Sequence, residues 1–453
     1  MFFLRSMNVH FIAIGGSAMH NLALALNDKG YLVTGSDDEI FEPSRKRLKD
    51  AGLLPTAIGW YPNKIHTELD AVILGMHARE DNPELLEATK LGIPVYSYPE
   101  FLFEQTKEKT RIVIGGSHGK TTITAMILHV LNELNIETDF MVGAILDGLK
   151  NSVSLQESTD IAVFEGDEYL SSPVDRRPKF HLYAPNVAVI SGIAWDHMNV
   201  FPTFDFYVDQ FRIFVQKLEI GGKLIYCEAD PEVKKLANEF TSLKKIAYGV
   251  PAHVIADGVT TLQTAHGTIP LQIFGQHNLM NMEAARVACE QIDVSSEQFY
   301  GAIQSFTGAS RRLEKLTERK GFVAYRDFAH APSKLQATTS ATKEQFPERT
   351  LVACMELHTF SSLNKEFLYQ YEGSMDAADK ALVYFDPRVV EHKKLPMITV
   401  EDVKSAFNRE DLIVLTSHAE VAQFLSEQSK ENAVWLLMSS GDFGGIDLPA
   451  LIA

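Results

Sequence analysis

Short apolar runs rich in Val, Ile and Leu recur along the chain, and between them the apolar positions fall at helical spacing. From the amino terminus the runs are VHFIAIG, YLVTGSD, AVILGM and PVYSY. Such runs, alternating with helical stretches, predict the parallel strands of βαβ units. After the charged TKEKTR a second series begins with IVIGG and continues through DIAVFEGD, VAVISGI and KLIYCEAD. A third series reads VAYRDFA, TLVACME, KALVYFD, LIVLTS and AVWLLMSS. At 453 residues the chain is too long for one core. The pattern predicts three α/β domains, over 1–107, 108–313 and 314–453.

Composition narrows the class. An apolar share of 45% with 22% charged residues is that of a soluble globular protein. No run approaches the roughly 20 apolar residues that would span a bilayer, so no membrane insertion is expected. The opening MFFLRS is too short for a secretory signal. Three scattered cysteines, Cys227, Cys289 and Cys354, with no CxxC give neither a disulfide framework nor a zinc site, and the expected compartment is the cytoplasm. A formal charge of −17 argues against a nucleic-acid partner. It leaves small anionic ligands possible, because one loop of N–H groups and a lysine can outweigh a distant field.

Candidate chemistry concentrates at strand-to-helix turns. In IVIGGSHGKTTITAMI, Ile123, Met126, Ile127, Val130, Leu131 and Leu134 form the stripe of an amphipathic helix that starts after Lys120. The preceding loop therefore feeds a helix N-terminus, where free N–H groups and the helix dipole favour an anion. Glycines at 115, 116 and 119 let the backbone close on phosphate oxygens, Lys120 can reach terminal phosphates, and Thr121 is placed for Mg²⁺. The standard GxxxxGK[ST] fails, since position 114 is Ile114. The alternatives are a shortened phosphate loop and a plain glycine-rich turn with a solvated lysine. Two more strand ends carry suitable groups: Glu165 closes DIAVFE, and WDH with His197 follows VAVISGI.

IAIGGSAM supplies a similar turn near the amino terminus, entering a helix with Met19, Leu22, Ala23 and Leu26 on its apolar positions. Asp37 lies where a dinucleotide fold places its ribose-binding acid. Only Gly15 and Gly16 of the GxGxxG are present, which disfavours a nicotinamide dehydrogenase while leaving a diphosphate at this helix start possible.

Taken together these segments resemble the Mur ligases. GSHGKTT is similar to the family's short G-T-H-G-K-T-T loop, FEGDEY to its E-A-D-E, DHMNVF to its D-H element, FGQHNLMN to its G-x-H-N-x-x-N, and SRRLE with YRDFAHAP to its third-domain entrance. The resemblance implies three domains, Rossmann-like, P-loop ATPase-like and Rossmann-like, and an ATP-dependent ligase that forms a C–N bond through an acyl phosphate, with ATP and Mg²⁺.

Residue by residue, the resemblance implies that Gly116, Ser117, His118, Gly119, Lys120, Thr121, Thr122, Asn278, Asn281, Arg312 and Asp327 bind ATP. Thr121, Glu165 and His197 would hold metal, and Lys120, Glu165 and His197 would be catalytic. Gly15, Gly16, Ser17 and Asp37 would hold the UDP sugar, UDP-N-acetylmuramate, while Arg177, His330 and His358 would meet the acceptor. GSDDEIFEPS, EYLSSPVDRRPKF, DFAHAPSK and SSGDFGGI favour a tripeptide acceptor, L-alanyl-γ-D-glutamyl-meso-diaminopimelate, over free L-alanine. So do Thr359 and Ser362, which stand where the alanine-adding members carry arginines. The alternatives are an alanine ligase and, from another class, a nucleotide-dependent switch.

Overall fold

A computed structural model describes residues 6–144, 146, 148–195, 200–309 and 312–452. Each apolar run quoted above contains a strand, and strands are numbered here in chain order. Asn8–Ile12 (β1), Leu32–Ser36 (β2), Ala71–Leu74 (β3) and Val95–Ser97 (β4) form a parallel sheet in the order β2-β1-β3-β4. The second sheet takes Thr110–Gly115 (β5), Asp139–Met141 (β6), Val153–Ser154 (β7), Ile161–Glu165 (β8), Val187–Ile190 (β9), Lys223–Cys227 (β10) and Lys244–Tyr248 (β11). Its order is β11-β10-β9-β5-β8-β6-β7, parallel except at β7.

A third, antiparallel sheet joins His253–Ala256 (β12), Val259–Thr264 (β13) and Gly267–Leu271 (β14). The fourth contains Glu314–Arg319 (β15), Phe322–Asp327 (β16), Thr350–Glu356 (β17), Lys380–Tyr384 (β18), Ile413–Leu415 (β19) and Ala433–Met438 (β20). Its order is β15-β16-β20-β17-β18-β19, parallel except at β15. The chain packs as two compact units: Met1–Gly249 with Asn281–Ala302 carries the first two sheets, and Val250–Met280 with Ile303–Ala453 carries the others. The stretch 250–280 thus groups with the carboxy-terminal residues.

Burial explains which elements the sequence announced. Ile112, Val113 and Ile114 of β5 and Val187 to Ile190 of β9 are buried, because helices cover both faces of a parallel sheet and every position must be apolar. The helix Lys120–Glu133 turns Ile123, Met126, Ile127, Val130 and Leu131 inward, whereas Leu134, the last residue of the expected stripe, is the half-buried C-cap. The antiparallel β12 to β14 were not announced. Their strands mix exposed and half-buried positions with a few buried ones, Thr260, Leu262 and Leu271, and carry threonines and a lysine-free polar face, so no apolar run marks them. The Asp257-Gly258 pair between β12 and β13 was the available signal. Among the described residues no helix is long and apolar enough to cross a membrane.

Candidate functional site

In the first unit the strand order of the seven-stranded sheet reverses at β5, which lies between β8 and β9. Open α/β sheets hold ligands at the carboxyl ends of strands at such a point. Register brings Ile114 opposite Glu165 and Gly115 opposite Ile190, so the loop after β5 and the ends of β8 and β9 meet at one edge. Gly116 and Gly119 adopt φ of +138° and +82°. A Cβ on Gly116 would overlap the Ser191 hydroxyl, and one on Gly119 would overlap the Asn281 amide oxygen. Glycine is needed at both for conformation and for close approach. Gly119 is the N-cap of Lys120–Glu133 and no side chain caps that helix, so its first N–H groups remain for an anion.

Around this loop stands a polar frame. Lys120 Nζ donates to Gly116 O at 2.6 Å and to Glu168 Oε2 at 2.7 Å. Burial would pull the Lys120 pKa down, but the carboxylates of Glu168 and Asp167 outweigh it and hold the ammonium above its usual value. Asp167 itself is held below the usual carboxylate range: burial would raise it, and Lys179, 2.6 Å away, together with Lys120 lowers it. Ser117 is tied down by its N–H to Gly192 O at 3.0 Å, and its hydroxyl accepts the Ala194 N–H at 2.8 Å. The His118 carbonyl accepts the Ser191 hydroxyl, and Thr122 is buried in the first turn of the helix.

The Thr121 hydroxyl donates to Glu165 Oε1 at 2.9 Å, while Gly143 N–H donates to Glu165 Oε2 at 2.7 Å. A hydroxyl beside a carboxylate is a hard-oxygen pair suited to Mg²⁺, whose remaining positions are ordinarily filled by water and phosphate oxygens. Among the described residues there is no group of three or more His, Cys, Asp and Glu that would hold a metal alone. His197, expected as a further ligand, lies outside the described residues.

The amino-terminal turn is built differently. Gly15 N–H donates to Asp37 Oδ2 at 2.6 Å, and Gly16 is the N-cap of the helix Ser17–Asp28, again without a side-chain cap. Burial raises the Asp37 pKa although the Gly15 and Glu39 amides favour its charge. Arg177 forks onto Asp175, at 2.6 Å, and reaches Glu100 at 3.1 Å, so an acidic ligand would have to share or displace these carboxylates.

In the second unit, Asp327, Glu356 and Ser439 gather at the carboxyl ends of the neighbouring strands β16, β17 and β20. Asp327 is buried and accepts N–H groups from Leu313, at 2.6 Å, and Ala329, at 2.7 Å. Burial raises its pKa against the pull of Arg312, whose guanidinium stacks 4.5 Å from the Phe328 ring centre. His330 Nδ1 lies 2.8 Å from Phe328 O, and His358 Nδ1 lies 3.7 Å from Glu356 Oε1. Glu356 Oε2 accepts the Phe443 N–H at 2.9 Å and the Ser439 hydroxyl. The helix Gln276–Glu290 carries Asn278 in this unit, its side chain donating to Phe274 O at 3.0 Å, and Asn281 in the first unit beside Gly119.

Sequence reasoning did not single out Glu168, Tyr207 or Ser191. Glu168 stood inside the quoted FEGDEY, three residues past Glu165, but only the folded loop shows which carboxylate meets the lysine. Tyr207 lies in the helix Phe204–Gln216 with nothing in its local pattern to distinguish it from core.

Strand order, glycine loop and carboxylates together fit a nucleotide-phosphate site at the strand ends of a parallel α/β sheet. Residues 8–110 match the Mur ligase family, catalytic domain, and residues 114–289 match the Mur ligase middle domain. A UDP-N-acetylmuramate–L-alanine ligase of Caldicellulosiruptor bescii is 31% identical over 450 residues, 95% of each chain. The chain belongs to the Mur ligase family, ATP-dependent enzymes that form amide bonds in peptidoglycan synthesis. Among solved structures, a murein peptide ligase of Psychrobacter arcticus is 25% identical with a TM-score of 0.63, covering 99% of this chain and 98% of that one. A UDP-N-acetylmuramate–alanine ligase of Thermotoga maritima, 20% identical over 97% of each chain, shares the fold with a TM-score of 0.69.

Proposed function

We propose that this Mur ligase joins UDP-N-acetylmuramate to the tripeptide L-alanyl-γ-D-glutamyl-meso-diaminopimelate, with hydrolysis of ATP to ADP and phosphate. The observation that carries the ATP half is the meeting of Lys120, Thr121 and Glu165 at the strand ends where the strand order reverses. Residues 116–122 bind the triphosphate, with their glycines admitting the phosphates and Lys120 holding negative charge as it shifts between oxygens. Thr121 and Glu165 would hold Mg²⁺, which supplies charge neutralisation to the phosphates. Asn278, Asn281, Arg312 and Asp327 serve the nucleotide, and the sugar nucleotide lies with its diphosphate near Gly15, Gly16 and Ser17 and with Asp37 nearby.

A carboxylate oxygen of the muramyl group attacks the γ-phosphorus in line and ADP leaves. The acceptor amine, having lost a proton, then attacks the acyl carbon and phosphate departs. The protein contributes positioning and counter-charge, which such a phosphoryl transfer chiefly requires. His330 and His358 face the acceptor in this reading, as does Arg177.

Support for the tripeptide comes from the likeness to a murein peptide ligase along nearly the whole of both chains, and from Thr359 and Ser362. The hydroxyls of those two residues bond each other at 2.9 Å, and neither supplies the charge that an arginine would give to a free amino acid's carboxylate. L-alanine is the second reading, favoured by the names of the curated relatives. Phosphate release measured with ATP, Mg²⁺ and UDP-N-acetylmuramate, plus either tripeptide or L-alanine, separates them: release with the tripeptide is expected. Release with alanine alone selects the second reading, and release indifferent to the sugar nucleotide indicates a nucleotide switch.

A further inference from the structure

We infer that Glu168 is a positioning residue for Lys120, holding the lysine in the nucleotide-free protein and yielding it to the triphosphate. The inference rests on the reading of residues 116–122 as the nucleotide site. Lys120 Nζ and Glu168 Oε2 are 2.7 Å apart, with the side chains 15% and 1% exposed. The lysine is thereby folded back over its own loop, where Gly116 O takes a second hydrogen bond at 2.6 Å. The other Glu168 oxygen accepts the Tyr207 hydroxyl at 3.1 Å, and that hydroxyl lies 3.0 Å from Ser117 Oγ. One carboxylate therefore grips the loop at both ends, directly at Lys120 and through Tyr207 at Ser117.

Glu165 has a separate task, since its two oxygens face Thr121 and Gly143. The division of labour has a consequence for binding. A triphosphate entering the loop competes with Glu168 for the same ammonium, and the buried carboxylate it leaves behind repels it. Removing Glu168 takes away the carboxylate in direct contact and leaves Lys120 only the charges of Asp167 and Glu165, and a lysine so released is a stronger anion trap. Glu168 thus weakens ground-state nucleotide binding while keeping Lys120 on the path to the γ-phosphate.

The test compares wild type, Glu168→Gln, Glu168→Asp and Tyr207→Phe by ADP calorimetry without Mg²⁺ and by steady-state phosphate release, with thermal melts confirming the fold. Glu168→Gln is expected to bind ADP roughly fivefold or more tighter. Its kcat is expected to fall roughly tenfold or more as the lysine loses its guide. Glu168→Asp should lie between Gln and wild type. Tyr207→Phe should move both quantities in the same directions by less. Weaker ADP binding together with slower turnover indicates plain support of the loop and overturns the inference, as does no change in either. If Glu168→Gln does not fold, Glu168→Asp decides by the same two signs. Wild-type protein that binds no ADP overturns the nucleotide reading of the site, and the inference with it.

Discussion

Two glycine-bearing turns of this chain each join a parallel strand to an uncapped helix, yet they use their acids in opposite ways. At residues 13–17 the carboxylate of Asp37 enters the turn and takes the Gly15 N–H at 2.6 Å. At residues 115–121 the carboxylates stay on the rim: Glu165 takes Thr121 and Gly143, and Glu168 takes Lys120. The first turn spends one of its donors internally and has no cation of its own. The second keeps its helix-start N–H groups and adds an ammonium. Glycine and a helix terminus are therefore common to both, and the placement of the acid decides how much negative charge each can accept.

The sharpest way to break that contrast is Lys120→Ala. It removes the cation from the second turn and leaves both helix starts intact. Loss of one strong electrostatic contact to a transition state costs on the order of 10² to 10³ in rate, and phosphate release with all cosubstrates should fall by that factor. Wild-type turnover in a folded Lys120→Ala would mean that the two turns do not differ in the way described.

Glycine itself separates the turns by a smaller amount. Gly119→Ala must place a Cβ at φ +82° against the Asn281 amide, which should cost about 1–3 kcal/mol in urea unfolding. Gly16 has φ −56°, and a Cβ there would meet Met19 at 3.4 Å, ordinary contact. Gly16→Ala should therefore change stability by less than about 1 kcal/mol. Equal losses for both variants would remove the distinction between a glycine required by close approach and one that is merely tolerated.

How much of this was legible beforehand follows the same line between pattern and packing. The β5 loop and its helix were readable because Ile112 to Ile114 form an apolar run and the stripe from Ile123 to Leu131 has helical period. The shifted glycine was readable only through the family's shorter loop. Strand ends at Glu165 and Asp327 could be placed because each closes such a run. The Lys120–Glu168 pair was not legible, since the carboxylates at 167 and 168, past the strand end, are equivalent in the string and only the backbone after β8 aims them. The half-exposed β12 to β14 escaped because a strand with one wet face leaves no apolar run.

Asp37→Asn probes the first turn alone, and its effect is the smallest and the most specific in sign. Asp37 is buried, and burial with the neighbouring Asp38 carboxylate raises its pKa in spite of the Gly15 and Glu39 amides. The folded protein therefore holds this proton to higher pH than the unfolded chain does. Its contribution to stability is complete below the ordinary aspartate range and is lost as pH rises through the raised value. An asparagine keeps an acceptor for Gly15 N–H and cannot ionise. Urea unfolding from pH 4 to 7 should show wild type losing stability relative to the variant as pH rises, a difference of about 1 kcal/mol or less. Steeper loss of stability with pH in Asp37→Asn would show that the charged carboxylate serves the first turn as an asset and not as the occupant of its donor.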